Sequence, residues 1–300
     1  MKITRKIVSA CIALFLIIVS IAPAYAETIY IVNGYSYSIY RNDAITLEGW
    51  DTSIDSNLVL PDSLGERYFV NVANWAFEEN TELTGLDFSQ ATHLSRIGYE
   101  SFIGCSNIST PIVLPPSLIN LNERSFSGCS LVPYINIYAN ILSIPRECFY
   151  GCSSAESVIL PSNLQSIEAW AFGDCTSLRY VEIPKSMTSI APSAFKNDSN
   201  LTLGVWYGSY GYEYAIAQNI PYVLLDGALL GDANGDGSVN INDVTTIQRY
   251  LAELETLEGI YLHAADANQD GTVDIADATA IQMYLAEYEM DYPIGDVMTQ

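Results

Sequence analysis

Basic side chains are scarce in this chain: 12 Lys and Arg stand against 35 Asp and Glu in 300 residues, for a formal net charge of −23. A nucleic-acid partner is therefore not expected, because phosphate binding needs a basic footprint. Histidine is scarcer still, with only His93 and His263, and these fall in different parts of the chain. No G-x-S-x-G, HExxH or paired catalytic carboxylate stands apart from repeating positions. The expectation is a noncatalytic protein; a glycoside hydrolase or peptidase-like subunit whose active site is not recognisable in sequence is the alternative. No long apolar run occurs beyond the N-terminal stretch, so no transmembrane anchor is expected.

That stretch has its own logic. Lys2, Arg5 and Lys6 precede an apolar run from Ile7 to Ile21, and Ala24-Tyr25-Ala26 closes it with small residues. This is the pattern of a secretory signal peptide over residues 1–26, which makes the chain an expected exported protein. Five cysteines follow it: Cys105, Cys129, Cys148, Cys152 and Cys175. An odd number in an exported chain argues against a closed disulfide framework.

What the chain does have is repetition. Phenylalanines fall at Phe77, Phe102, Phe126, Phe149, Phe172 and Phe195, at intervals of 25, 24, 23, 23 and 23. Aliphatic residues precede each by five positions (Val72, Ile97, Leu121, Ile144, Ile167, Ile190), and apolar residues precede each by eight (Phe69, Leu94, Leu118, Ile141, Leu164, Met187). Eleven after come Phe88, Val113, Ile137, Leu160 and Ile183. A period of this length with apolar residues fixed in phase is what a solenoid requires, since no single coil can bury its own apolar side. The pattern A-F-x-x-C-x-x-L-x-x-V-x-I-P, whole in Ala171 to Pro184, resembles the BspA-like branch of the leucine-rich repeats. The resemblance implies a β-rich solenoid of about 23-residue coils over 27–225. Its N-terminal cap would lie near Tyr37 to Leu58 and its closing segment at Tyr207 to Leu225, with a short helix around Glu213 to Gln218.

Repeat phase also places the cysteines. Cys105, Cys129, Cys152 and Cys175 each lie three residues after their phenylalanine and are expected to stack as buried, reduced thiols. Coils about 4.8 Å apart hold parallel Cβ atoms farther apart than the roughly 3.8 Å a disulfide prefers. Cys148 holds a position that is Ala or Ser in the other copies and is read as packing. Because strand side chains alternate, Ile112, Tyr134, Ile159 and Tyr180 are expected to face outward together as a ligand face for a protein or a glycan.

The acid is concentrated at the C-terminal end. From Asp226 to Gln300 there are fifteen Asp or Glu and one Arg, Arg249. Two stretches dominate it, DANGDGSVNIND from Asp232 and DANQDGTVDIAD from Asp266, and over Asp232 to Glu253 and Asp266 to Glu287 the copies agree at 15 of 22 positions. Each spaces oxygen donors around a glycine at loop position six, the arrangement a hard cation such as Ca²⁺ needs. The donors expected in the first copy are Asp232, Asn234, Asp236, Asn240 and Asp243, with the carbonyl of Ser238. In the second they are Asp266, Asn268, Asp270, Asp274 and Asp277, with the carbonyl of Thr272. Two calcium ions are expected. Each loop feeds one helix, with apolar stripes at Val244, Ile247, Leu251 and Leu254 and at Ala278, Ile281, Leu285 and Tyr288. No helix-forming stretch is read immediately before either loop.

This tandem of loop-helix halves resembles a type I dockerin, which implies a small all-α module over 226–300. The resemblance further implies a cohesin domain of a scaffold protein as partner and a place in a cellulosome-like complex at the cell surface, in polysaccharide catabolism. Transferred position by position, the cohesin contacts are Ile241, Asn242, Gln248, Arg249 and Glu253, and Ile275, Ala276, Gln282, Met283 and Glu287. The expected state before docking is a monomer, with the two modules joined by little linker between Asp226 and Leu230.

Overall fold

The computed structural model describes residues 29–39, 44–225 and 227–298. The segment read as a signal peptide, and Asp226 of the linker, lie outside the described residues. An N-terminal antiparallel hairpin, Ile29–Val32 with Tyr35–Ile39, pairs onto the strand Ile45–Trp50, which starts a run of parallel pairings along the chain. The strands are short because each coil spends only a few residues on each wall of the solenoid. Six of them, Ile112–Leu114, Tyr134–Ile137, Ser157–Ile159, Tyr180–Glu182, Thr202–Val205 and Tyr222–Leu224, form one parallel sheet in chain order. Proline follows close behind, at Pro115, Pro161 and Pro184; it cannot donate to a ladder, so the chain turns there.

The solenoid's core is one apolar cluster running from Tyr37 to Ala228 and joined by Ile260. Its axis is the phenylalanine ladder, whose successive ring centroids are 4.9, 5.2, 5.6, 5.4 and 5.4 Å apart with planes within 9° of parallel. Each offset-stacked pair is worth about 0.5–1.5 kcal/mol beyond the area it buries. The residues eight before each phenylalanine are all buried. Helix α1, Tyr210–Gln218, closes the stack, capped by Ser209 and ended by Asn219 in the left-handed region.

One part of the expected phasing is shifted. The interval from Phe102 to Phe126 carries an extra residue between Cys105 and Ile112. Ile112 therefore pairs with Ile135, and Leu114, not Val113, takes the buried place beside Ile137. A slip of one residue exchanges the two faces of a strand, so Ile112 is buried and Val113 points out.

The C-terminal module holds α2, Ile241–Leu251, α3, Gly259–Ala265, and α4, Ile275–Leu285. Helix α3 corrects the expectation of bare loop-helix halves, because it runs directly into the second acidic loop. Its apolar spacing, Ile260 with Ala264 and Ala265, was the available signal, and all three are buried. The apolar stripes are also shorter than expected. Val244 and Ile247 pack in one cluster with Ala278 and Ile281, whereas Leu251, Leu254, Leu285 and Tyr288 are exposed. Glu253 and Glu287, both at positive φ, turn the chain beyond the ends of α2 and α4, so Leu254 and Tyr288 lie off the helices, while Leu251 and Leu285 are exposed in their last turns. The tail returns to the module's start, with Leu229 bridged to Val297 and Gly295 N–H donating to the Leu230 carbonyl at 2.8 Å.

Candidate metal centre and docking surfaces

The two acidic loops share one core of backbone-to-side-chain hydrogen bonds, to which the first adds bonds from the Asn240 amide and the second one from the Thr272 hydroxyl. In the first, Asp232 accepts from the N–H groups of Asp236 and Gly237 at 3.1 and 2.9 Å, and Asn234 Oδ1 accepts from Asp236 N–H at 2.8 Å. In the second, Asp266 accepts from Asp270 and Gly271 at 3.1 and 2.9 Å, and Asn268 Oδ1 from Asp270 at 2.9 Å. The position-six glycines, Gly237 and Gly271, have φ of 83° and 91°, which an L side chain rarely adopts. The loops thus turn their carboxylates inward by local bonds that each sequence carries within itself.

Each loop ends by becoming a helix. Asn240 and Asp274 are N-caps, and Asp243 and Asp277 complete capping boxes by accepting from the cap N–H at 2.7 and 2.8 Å. The other oxygens of Asp243 and Asp277 reach back to Asn234 N–H and Asn268 N–H, both at 3.1 Å. These two carboxylates tie the start of the loop to the helix, and both side chains are completely buried. Burial pushes both carboxyls above the usual range, and the neighbouring pairs Asp232/Asp236 and Asp266/Asp270 push in the same direction. Asp270 is held below the usual range by bonds from Thr272.

A buried carboxylate faced by two others needs a positive charge. The module's one arginine does not supply it, since Arg249 pairs with Glu255 at 3.0 Å on the surface. Among the described residues no three His, Cys, Asp or Glu side chains group tightly enough to hold a metal by themselves. The donor set here is a mixed one, carboxylates with Asn amide oxygens and a backbone carbonyl, and all-oxygen sets of this kind suit a hard divalent cation. The residues present fit Ca²⁺ on that ground.

All ten residues transferred as docking contacts are exposed: Ile241, Asn242, Gln248, Arg249 and Glu253, and Ile275, Ala276, Gln282, Met283 and Glu287. On the solenoid, Tyr134, Ile159 and Tyr180 are exposed by 41, 48 and 38%, on strands that are neighbours in the sheet. Ile112 is removed from this face by the slip in its coil, and the exposed Val113 stands beside Asn136 instead, which in turn pairs with Ile159 on its other side. Tyr180 lies across the sheet toward Gly204, where a Cβ would come within 2.3 Å of its hydroxyl. The absent side chain at Gly204 leaves room for the ring to lie flat.

The remaining chemistry is dispersed. His93 Nδ1 lies 2.9 Å from Asp62, with the ring stacked on Tyr68, while His263 packs against Tyr207 in the other module. The five cysteines are buried and unbonded to one another. The sulfurs of Cys105, Cys129, Cys152 and Cys175 lie 3.0–3.5 Å from the carbonyls of Phe77, Phe102, Phe126 and Phe149, one coil back in each case. These four thiols therefore face the core, where burial drives their pKa up, to about 12 at Cys105. Among the described residues no helix is long and apolar enough to cross a membrane.

Residues 70–202 match a BspA type leucine rich repeat region in six copies, and residues 230–286 match the dockerin type I domain. None of the curated proteins matches the chain. Among solved structures, a leucine rich repeat protein of T. pallidum is 25% identical, over 60% of this chain and 81% of that one, with a TM-score of 0.51. A leucine rich cell surface protein from Faecalibacterium prausnitzii A2-165 is 20% identical over 60% of this chain and 55% of that one, with a TM-score of 0.44. A leucine-rich repeat protein from Eubacterium ventriosum is 19% identical over 57 and 50%, also at 0.44. The T. pallidum likeness supports the solenoid fold, and neither matched family is a catalytic domain.

Proposed function

Since the chain joins a BspA type leucine rich repeat region to a type I dockerin domain, we propose that it is an exported, noncatalytic component of a cellulosome-like complex. A type I dockerin is a calcium-binding module with a cohesin as its implied partner. In this reading each loop takes one Ca²⁺ through the donors named above, and the two ions set the pose of α2 and α4. The ten exposed loop and helix residues then meet a cohesin on a scaffold, as a monomer before docking. The solenoid contributes binding and not catalysis, through Tyr134, Ile159 and Tyr180, in the setting of polysaccharide catabolism.

The observation that carries this is the pair of matched loop networks, each closing on a buried position-twelve carboxylate that the chain itself leaves without a counter-charge. The module boundary is set between the solenoid's last strand and Leu230. The test is capture of the mature chain on an immobilised panel of scaffold cohesins, with calcium and with chelator. Binding to at least one cohesin that chelator abolishes is expected; no binding to any, or retention in chelator, would remove the attachment role. For the solenoid face, Tyr134→Ala with Tyr180→Ala should lose binding to culture-supernatant glycans and surface proteins while melting as the parent does. Unchanged binding by the double variant would dismiss this face.

A further inference from the structure

Helix α3 belongs by sequence to the C-terminal module, yet its anchoring side chain lies in the other one. Ile260 is 8% exposed and packs in the solenoid's apolar cluster, while Ala265 of the same helix packs in the module's own. The His263 ring lies 5.5 Å from the ring of Tyr207 in the solenoid cap. Met298, from the returning tail, lies against both clusters.

The other faces of α3 reach the acidic loops. The Tyr261 ring lies against Gly235, the fourth residue of the first loop, so closely that a Cβ there would stand 2.5 Å from it. Gly231, the residue before Asp232, donates its N–H to the Ala264 carbonyl at 2.8 Å. At its C-terminal end α3 runs straight into Asp266, the first donor of the second loop, whose N–H bonds back to the His263 carbonyl. One helix of 7 residues therefore touches the solenoid cap, the first loop and the leading donor of the second. A helix that short is not stable in water by itself. Its place is held by what it packs against, and the solenoid supplies part of that packing through the cluster around Ile260 and the Tyr207 ring.

We propose that the solenoid's C-terminal cap is the docking surface for this chain's own α3, and that through α3 calcium uptake and cap stability are coupled. The inference rests on the reading of the loops as calcium sites. A folded cap holds α3 where both loops need it, so it raises calcium affinity. Linkage is reciprocal, so bound calcium resists unfolding of the cap by the same factor.

The chain contains its own reporter. All four tryptophans, Trp50, Trp75, Trp170 and Trp206, lie in the solenoid, and the C-terminal module has none. Tryptophan fluorescence of the whole mature chain therefore follows the solenoid while calcium acts elsewhere. Calcium in place of chelator is expected to raise the fluorescence-detected melting midpoint by about 2 °C or more. Ile260→Asp and Tyr207→Ala break the contact from opposite sides. Each should erase that shift and weaken calcium binding by calorimetry about fivefold or more. Equal midpoints in the parent chain, alongside calorimetric calcium uptake, overturn the coupling and leave the calcium sites standing. A shift of parental size in both variants overturns α3 as its route. Absence of calcium uptake by the parent chain overturns the loop reading itself and the coupling with it.

Discussion

The Cys175 sulfur lies 3.3 Å from the Phe149 carbonyl oxygen, to which its thiol donates across one coil of the solenoid. Cys152, Cys129 and Cys105 repeat the contact along the stack. The next coil breaks the series, because Asp198 holds the same place, three residues after Phe195, and is likewise buried. Neither of its carboxylate oxygens has a hydrogen bond. Burial is the main cause that pushes its carboxyl up to about 7; the nearby Cys175 backbone N–H partly offsets it, and Asp174 adds a smaller push upward. Only the protonated acid can donate as the thiols do.

The stability of the solenoid should therefore fall as pH rises. With a folded value of about 7 against an ordinary 3.8, the native state holds more protons than the unfolded one between these values. The slope is negative across that window and flattens above it. Thermal unfolding of the mature chain in chelator, followed by tryptophan fluorescence from pH 4.5 to 8.5, should show the midpoint decline. In Asp198→Asn the decline through neutrality should be reduced and the midpoint at pH 8 raised. A variant that keeps the parental slope assigns the effect to other groups.

The ladder thiols should be inert in the folded protein. The thiolate is the reactive form, and burial holds Cys129, Cys148, Cys152 and Cys175 well above their ordinary range. Mass spectrometry after iodoacetamide treatment at pH 8 should find all five thiols unmodified in the native chain and alkylated after denaturation. Replacing Cys129 by Ala should destabilise the solenoid by about 1–3 kcal/mol, the cost of emptying the space of a fully buried sulfur, while the Phe102 carbonyl keeps its bond from the Cys105 N–H at 3.2 Å. Native alkylation at any ladder position would show that the coils open there.

Calcium uptake should follow the two buried position-twelve carboxylates. Calorimetry of the mature chain should count two ions per molecule, and Asp243→Ala or Asp277→Ala should each remove one. Metal binding needs the carboxylates ionised, and the folded loops hold Asp243 and Asp277 above the usual range. Affinity should thus fall with acidification and begin to fall at a higher pH than ordinary aspartates would dictate. Because the second loop offers four carboxylates to the first loop's three, the ion lost in Asp277→Ala should be the tighter of the two. An unchanged count in both variants would place the donors elsewhere.

Much of this was legible without coordinates, since both modules repeat and each repeat carries its own rule. The interval of 23 to 25 residues determined a stack with Phe77 to Phe195 as its axis. The oxygen spacing from Asp232 and Asp266, with glycine at six, determined two turned acidic loops that cap their own helices. These are local facts, governed by φ and by bonds reaching only a few residues along the chain. Tertiary structure decided what depends on neighbours. The extra residue before Ile112 could have been absorbed anywhere in the coil, and only pairing with Ile135 shows that it turns Ile112 inward and Val113 outward. Leu251 and Leu285 continue a helical stripe in sequence, yet the module is too small to cover them. Ile260 has the spacing of a core residue, but spacing does not say whose core. It lies in the solenoid's while Ala265 of the same helix lies in the module's own, because the two buried surfaces meet at this helix only in the folded chain.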